Sequence, residues 1–140
     1  MLRLVLDTDV VVAALRSGTG ASARILKASL LGEAMFLATV PLMLEYEAVC
    51  KRPAHLMATT TIEGIESFLN GLATQIVPVQ VSYQWRTQLR DADDEMVLEA
   101  AINGRSAAIV TFNTRDFEPA VTRFGIEAIK PVEALRRIVA

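Results

Sequence analysis

The chain has one cysteine, one histidine and, from Val10 to Arg90, no aspartate at all. The lone Cys50 excludes an internal disulfide and fits a reducing cytosol, where it serves as a small core residue. The lone His55 follows Arg52-Pro53, far from every acidic segment, which assigns it to surface or packing rather than to chemistry. The aspartate-free span excludes a phosphoacceptor aspartate at the end of a middle strand. No run of about 18 apolar residues exists to cross a membrane, and the start Met1-Leu2-Arg3-Leu4-Val5-Leu6-Asp7 lacks the long apolar stretch of a secretion signal. A cytoplasmic protein is expected. A large charge of one sign is missing too: with a formal charge of -2 and a pI near 5.4, nucleic acid would have to be drawn by local basic groups or by bound metal.

What is present suits one ordinary domain over residues 1–140, since 52% hydrophobic content can bury a core at this length. A mean hydropathy of +0.36 points to a self-association surface, and a homodimer is the expected assembly.

Short apolar runs alternate with helical periodicities. Leu2 to Leu6 reads as a strand ending at Asp7, followed by a turn and a helix over Val10 to Leu15. A second helix carries Ile25, Leu26, Leu30 and Leu31 before Gly32. Met35 to Ala38 reads as a strand, and Thr39 with Pro41 opens a helix whose apolar face is Leu42, Tyr46 and Val49. Thr59 to Thr61 offer caps for a helix with Ile62, Ile65, Leu69 and Leu72. Ile76 to Val81 reads as a strand in which Pro78 marks a sheet edge. A helix with Trp85 and Leu89 follows, then one starting at Asp93 or Asp94 with the stripe Val97, Leu98, Ala101 and Ile102, and with Gly104 beyond its end. Ala107 to Val110 and Ile126 to Ile129 are further strands, and a last helix runs from Pro131 through Ile138. Strands alternating with helices predict an α/β fold with a mostly parallel sheet covered on both faces.

The acids fall at functional places in this pattern. Asp7 ends a strand, Glu45 lies in the first turns of a helix, Asp94 stands at a helix N-terminus and Asp116 lies in the loop after a strand. Carboxylates at strand ends sit at the mouth of an α/β sheet, where such folds place ligands. Several converging there suit hard divalent cations such as Mg²⁺ or Mn²⁺, which prefer oxygen ligands. Taken alone, Asp7 serves equally well as a cap, Glu47 competes with Glu45, and Asp91, Asp93 and Asp94 all suit a helix start. Asp9, Thr111, Asn113 and Arg115 are expected to support the acids or touch substrate. The basic residues that could meet a phosphate are Arg16, Arg24, Lys27, Arg86, Arg90 and Arg115. Trp85 and Phe68 read as core or interface residues.

Four segments, in order, resemble the PIN domain family and within it the VapC-like ribonuclease toxins: Leu4-Val5-Leu6-Asp7-Thr8-Asp9-Val10-Val11; Thr39-Val40-Pro41-Leu42-Met43-Leu44-Glu45-Tyr46 with Arg52-Pro53; Asp91-Ala92-Asp93-Asp94; and Ile109-Val110-Thr111-Phe112-Asn113 with Asp116-Phe117. The resemblance implies a three-layer α/β/α PIN-like fold and Mg²⁺- or Mn²⁺-dependent RNA cleavage, often by a toxin silenced by a small antitoxin protein. It carries Asp7, Glu45, Asp94 and Asp116 over to the family's four acids. The chain departs at Asp9, where the family usually has Asn or Ser.

Asp7-Thr8-Asp9-Val10-Val11 also resembles the nucleophile motif of haloacid-dehalogenase-like phosphatases. Those enzymes place their acidic motif last, whereas Asp91 to Asp94 precede Thr111 here. A receiver domain is set aside by the aspartate-free span. A non-catalytic scaffold that binds RNA or protein is the remaining alternative.

Overall fold

The computed structural model describes residues 1–52, 61–82 and 88–139. Its centre is a five-stranded sheet in the order β3-β2-β1-β4-β5, formed by β1 (Leu2–Leu6), β2 (Ala34–Ala38), β3 (Ile76–Pro78), β4 (Ala108–Val110) and β5 (Glu127–Ile129). Every pairing is parallel, with Leu4 of β1 opposite Phe36 on one side and Ala108 on the other. Parallel pairing requires crossover helices. They are α1 (Thr8–Arg16), α2 (Ala21–Leu30), α3 (Val40–Cys50), α4 (Ile62–Gln75), α5 (Ala92–Gly104), α6 (Glu118–Phe124) and α7 (Pro131–Val139), with a 3₁₀ turn at Thr114–Phe117. Helix α5 lies across β1, β2 and β4, while α2 packs on β2 and against α1 and α7. The result is the expected three-layer α/β/α arrangement. Leu4, Val5, Leu6, Phe36, Leu37, Ile109 and Val110 are all buried, as central strands covered on both faces must be.

The strand order places the site. From β1 the chain steps outward through β2 and β3, then returns along α5 to β4 on the opposite side of β1. The C-terminal ends of β1 and β4 are therefore neighbours whose continuations diverge, and this switch point opens a crevice. Asp7 leaves β1 there, its backbone N–H donating to Val110 O at 2.8 Å.

The cap signals hold where they are local. Thr39 Oγ1 accepts from Leu42 N at 3.3 Å, and Thr61 Oγ1 accepts from Gly64 N at 3.0 Å. Other boundaries move. Helix α1 begins directly after β1 because Asp7 itself caps it, accepting from Thr8 N at 2.8 Å. Cys50, rather than Val49, completes the buried face of α3 with Leu42 and Tyr46. Helix α5 is capped by Asp91, whose side chain accepts from Asp93 N at 2.9 Å, so Asp93 and Asp94 lie in its first turn. Strand β3 stops at Pro78, on the edge as expected. Leu89 lies in an irregular segment, while Trp85, Arg86 and His55 fall outside the described residues. Gly104 is the last residue of α5 rather than its terminator. The left-handed residue is Arg105 (φ 52°), and Gly104 is needed because a Cβ there would stand 3.0 Å from Leu37 Cδ1 and from Val79 Cγ2. Among the described residues no helix is long and apolar enough to cross a membrane.

Candidate active site

Asp7 is buried to 8% exposure at the end of β1, and both its carboxylate oxygens are engaged. Oδ1 accepts from Thr8 N at 2.8 Å, and Oδ2 accepts from the Thr111 hydroxyl at 2.7 Å. Burial raises its pKa from the ordinary carboxylate value, the hydrogen bonds from Thr111 and Thr8 and one shared with Asp9 oppose the rise, and the Asp116 charge adds to it.

Thr111 and Asn113 form the next layer. Thr111 is fully buried at the end of β4, and its Oγ1 also accepts from Asn113 N at 3.0 Å. Asn113 Nδ2 and Phe112 N each donate to Asp9 Oδ2 at 3.1 Å, which ties the loop after β4 to α1. Asp9 Oδ1 is buried without a hydrogen-bond partner. Burial and the neighbouring Asp7 charge push the Asp9 pKa up to about 6.

Two further acids come from the helices. Asp94, in the first turn of α5, has its pKa pushed up to about 7, first by burial and then by Asp7, Asp91, Asp116 and Asp93. Glu45 on α3 is raised by burial and by Asp93 and Asp91, with Arg52 opposing. Glu47 turns away and pairs with Lys51 at 3.6 Å. Asp7, Asp9, Glu45, Asp94, Asn113 and Asp116, together with Arg52, Asp91 and Asp93, line one open cleft of about 380 Å³. A second cleft of about 400 Å³ shares Asp91, Asp94 and Asp116 with it and adds Arg90, Arg115 and Gln88. Lys27 donates instead to Gly18 O at 3.0 Å and lines an apolar groove between α2 and α4.

Three residues to which the sequence reading gave no role at the site take part in it. Tyr46 is fully buried beside Glu45 and its hydroxyl donates to Leu6 O, which fastens α3 to the end of β1. Glu95, 5% exposed and next to Asp94, accepts from the backbone N–H groups of Gln88 and Leu89 and so holds the segment leading to Asp91. Glu95 has a sequence signal: it falls in helical phase with Leu98 and Ile102, an acid within an apolar stripe. Arg52 is the cation that faces Glu45.

The donor set is all oxygen, which suits a hard divalent cation. Carboxylates held near one another with raised pKa values, and a buried oxygen left without a donor, are what a cation would satisfy. Among the described residues no three acidic, histidine or cysteine side chains are gathered to hold an ion by themselves. Mutual repulsion favours such spacing, and Mg²⁺ commonly retains several waters while taking one or two carboxylates.

The profile of a known family, described as PIN domain, matches residues 3–115 of the chain. No curated protein gives a significant match. Among solved structures, a chain of VapBC2 from Rickettsia felis, determined bound to a DNA fragment from the promoter, is similar over 92% of this chain and 98% of its own, with a TM-score of 0.64 and 15% identity.

Proposed function

The chain belongs to the PIN domain family, and from that premise we propose that it is a metal-dependent endoribonuclease, one PIN-like domain over residues 1–140 acting as the toxin of a toxin–antitoxin pair. The observation that carries the reading is the convergence of Asp7, Glu45, Asp94 and Asp116 on one cleft at the β1/β4 switch point. These four are the residues that would hold Mg²⁺ or Mn²⁺. A bound ion supplies neutralisation of the phosphodiester charge and acidification of an attacking water.

The protein's own contribution is placement. Thr8 and Thr111 fix the Asp7 carboxylate, so its lone pairs keep one orientation. Glu95 and the Asp91 cap fix the start of α5 and with it Asp94. Arg115 and Arg90, on the adjoining cleft, are suited to receive phosphates on either side of the scissile bond, which a net acidic protein needs near its carboxylates. Exposed Val40 (69%) and Leu44 (61%) on α3 support a homodimer. The similarity to a VapBC2 chain supports an antitoxin protein as partner, and a cytoplasmic site of action follows from an RNA substrate.

The test is cleavage of a mixed RNA pool with Mg²⁺ or Mn²⁺, with a chelator, and with Asp7→Asn and Asp94→Asn proteins of verified fold. Metal-dependent cutting lost under the chelator and in both variants is expected. Folded protein that binds Mn²⁺ and cuts no RNA would leave the non-catalytic scaffold, and turnover of a phosphomonoester instead would favour the phosphatase.

A further inference from the structure

Asp9 holds the loop after β4 with only one of its two oxygens. Oδ2 receives both Phe112 N and Asn113 Nδ2 at 3.1 Å, while Oδ1 is buried with no donor. Anchoring the loop does not require a charge: an asparagine carbonyl at this position would accept the same two hydrogen bonds. Oδ1 lies against the Asp7 carboxylate, where a proton shared between the two acids can answer it; once Asp9 is ionised, only a cation can. Asp9 also lines the acidic cleft together with Asp7, Glu45, Asp94 and Asp116.

We infer that Asp9 does two jobs with its two oxygens, Oδ2 clamping the Phe112–Asn113 loop and Oδ1 serving as an additional ligand to a divalent cation held in the cleft. The inference rests on the metal-site reading above and goes beyond it, because it adds Asp9 to the carboxylates available to a cation in the cleft and separates that role from the loop contact. It also implies tighter cation binding than an uncharged residue at position 9 would give.

Asp9→Asn isolates the free oxygen. The amide oxygen can take over the Phe112 and Asn113 contacts, leaving the NH₂ group, which donates and cannot ligate a cation, where Oδ1 stood. Asp9→Ala removes both jobs. The measurements are Mn²⁺ titration calorimetry and, with Eu³⁺ as probe, luminescence lifetimes in H₂O and D₂O, which count bound waters. Asp9→Asn is expected to weaken Mn²⁺ by about ten- to a hundredfold and to add one water to bound Eu³⁺, with amide exchange at Phe112 and Asn113 unchanged. Asp9→Ala should add faster exchange at those two amides. Unchanged Mn²⁺ affinity and water count in Asp9→Asn, with Asp94→Asn losing the metal, would overturn the inference and leave the nuclease reading standing. Weaker Mn²⁺ binding with no added water would reduce Asp9 to a charge acting at a distance and overturn the ligand assignment. Absence of Mn²⁺ binding by the unaltered protein would end both readings.

Discussion

The Thr111 hydroxyl donates to Asp7 Oδ2 at 2.7 Å, joining residues 104 positions apart in the chain. The contact exists because β4 pairs beside β1 with Leu6 opposite Val110, which brings the next residue of each strand to the same height. Thr111 Oγ1 also accepts from Asn113 N, so one buried hydroxyl serves the acid and the loop together.

Thr111→Val keeps the shape and removes both contacts. Asp7 Oδ2 loses its donor and Asn113 N its acceptor, at a cost of about 1–3 kcal/mol for buried groups left unpaired. Denaturant unfolding of metal-free protein at neutral pH should show a loss of that size, and metal-dependent cleavage should fall further than the fold does. Thr111→Ser, which keeps the hydroxyl, is expected to retain most of the activity. Equal damage from Ser and Val would mean that the methyl packing, not the hydrogen bond, matters.

Glu95 should behave as a clamp. Glu95→Ala strands the N–H groups of Gln88 and Leu89, which now end on its carboxylate. A stability loss of about 1–3 kcal/mol is expected, with amide exchange accelerated at 88 and 89 more than in the β-sheet. Glu95→Gln keeps an acceptor and should recover at least half of the loss. Uniform acceleration across the whole protein in Glu95→Ala would show that no local clamp exists.

What the sequence made legible was local. Thr39 and Thr61 announce their helices because a cap reaches only three residues along the chain. The end of β1 is visible at Asp7 because an apolar run stops there. The pairings that complete the site are not local: Thr111 meets Asp7, and Tyr46 meets Leu6 O, through strand order and helix packing that no spacing encodes. Asp91 was one of three candidate caps, because three aspartates stand beside one helix start and only the backbone geometry separates them. Gly104 misled for a related reason, since glycine both ends helices and permits close packing, and here it packs.

Gly104 and Arg105 therefore predict opposite responses. Gly104→Ala gains helix propensity of about 1 kcal/mol, but its Cβ would press at 3.0 Å on Leu37 and Val79. Overpacking of this kind costs about 1–3 kcal/mol, so net destabilisation is expected. Arg105→Gly relieves a left-handed conformation in an exposed side chain and should raise stability by about 0.5–1 kcal/mol. Thermal or denaturant unfolding of the two variants reads both signs, and a stabilised Gly104→Ala would mean that Leu37 and Val79 yield without cost.

The acids make the metal-free protein a poor match for alkaline solution. Asp9 and Asp94 hold their protons up to about pH 6 and about pH 7 in the fold, and Asp7 and Glu45 are shifted in the same direction. In the unfolded chain such groups titrate near pH 4. Between those limits the folded state binds more protons than the unfolded state, so stability falls as pH rises. The contribution is complete below about pH 4 and is lost as pH passes through about 6 and then about 7. The exposed Glu127, lowered by Arg137, works in the opposite direction but is screened by solvent. Melting of chelator-treated protein should therefore drop between about pH 4 and about pH 7, and Mn²⁺ should restore most of the difference at the upper end, because a cation replaces the missing protons and binds best once the carboxylates are ionised. Asp94→Asn should flatten the metal-free profile and lose the Mn²⁺ recovery together. A metal-free melting temperature that rises over this interval would contradict the upward shifts of these four carboxylates.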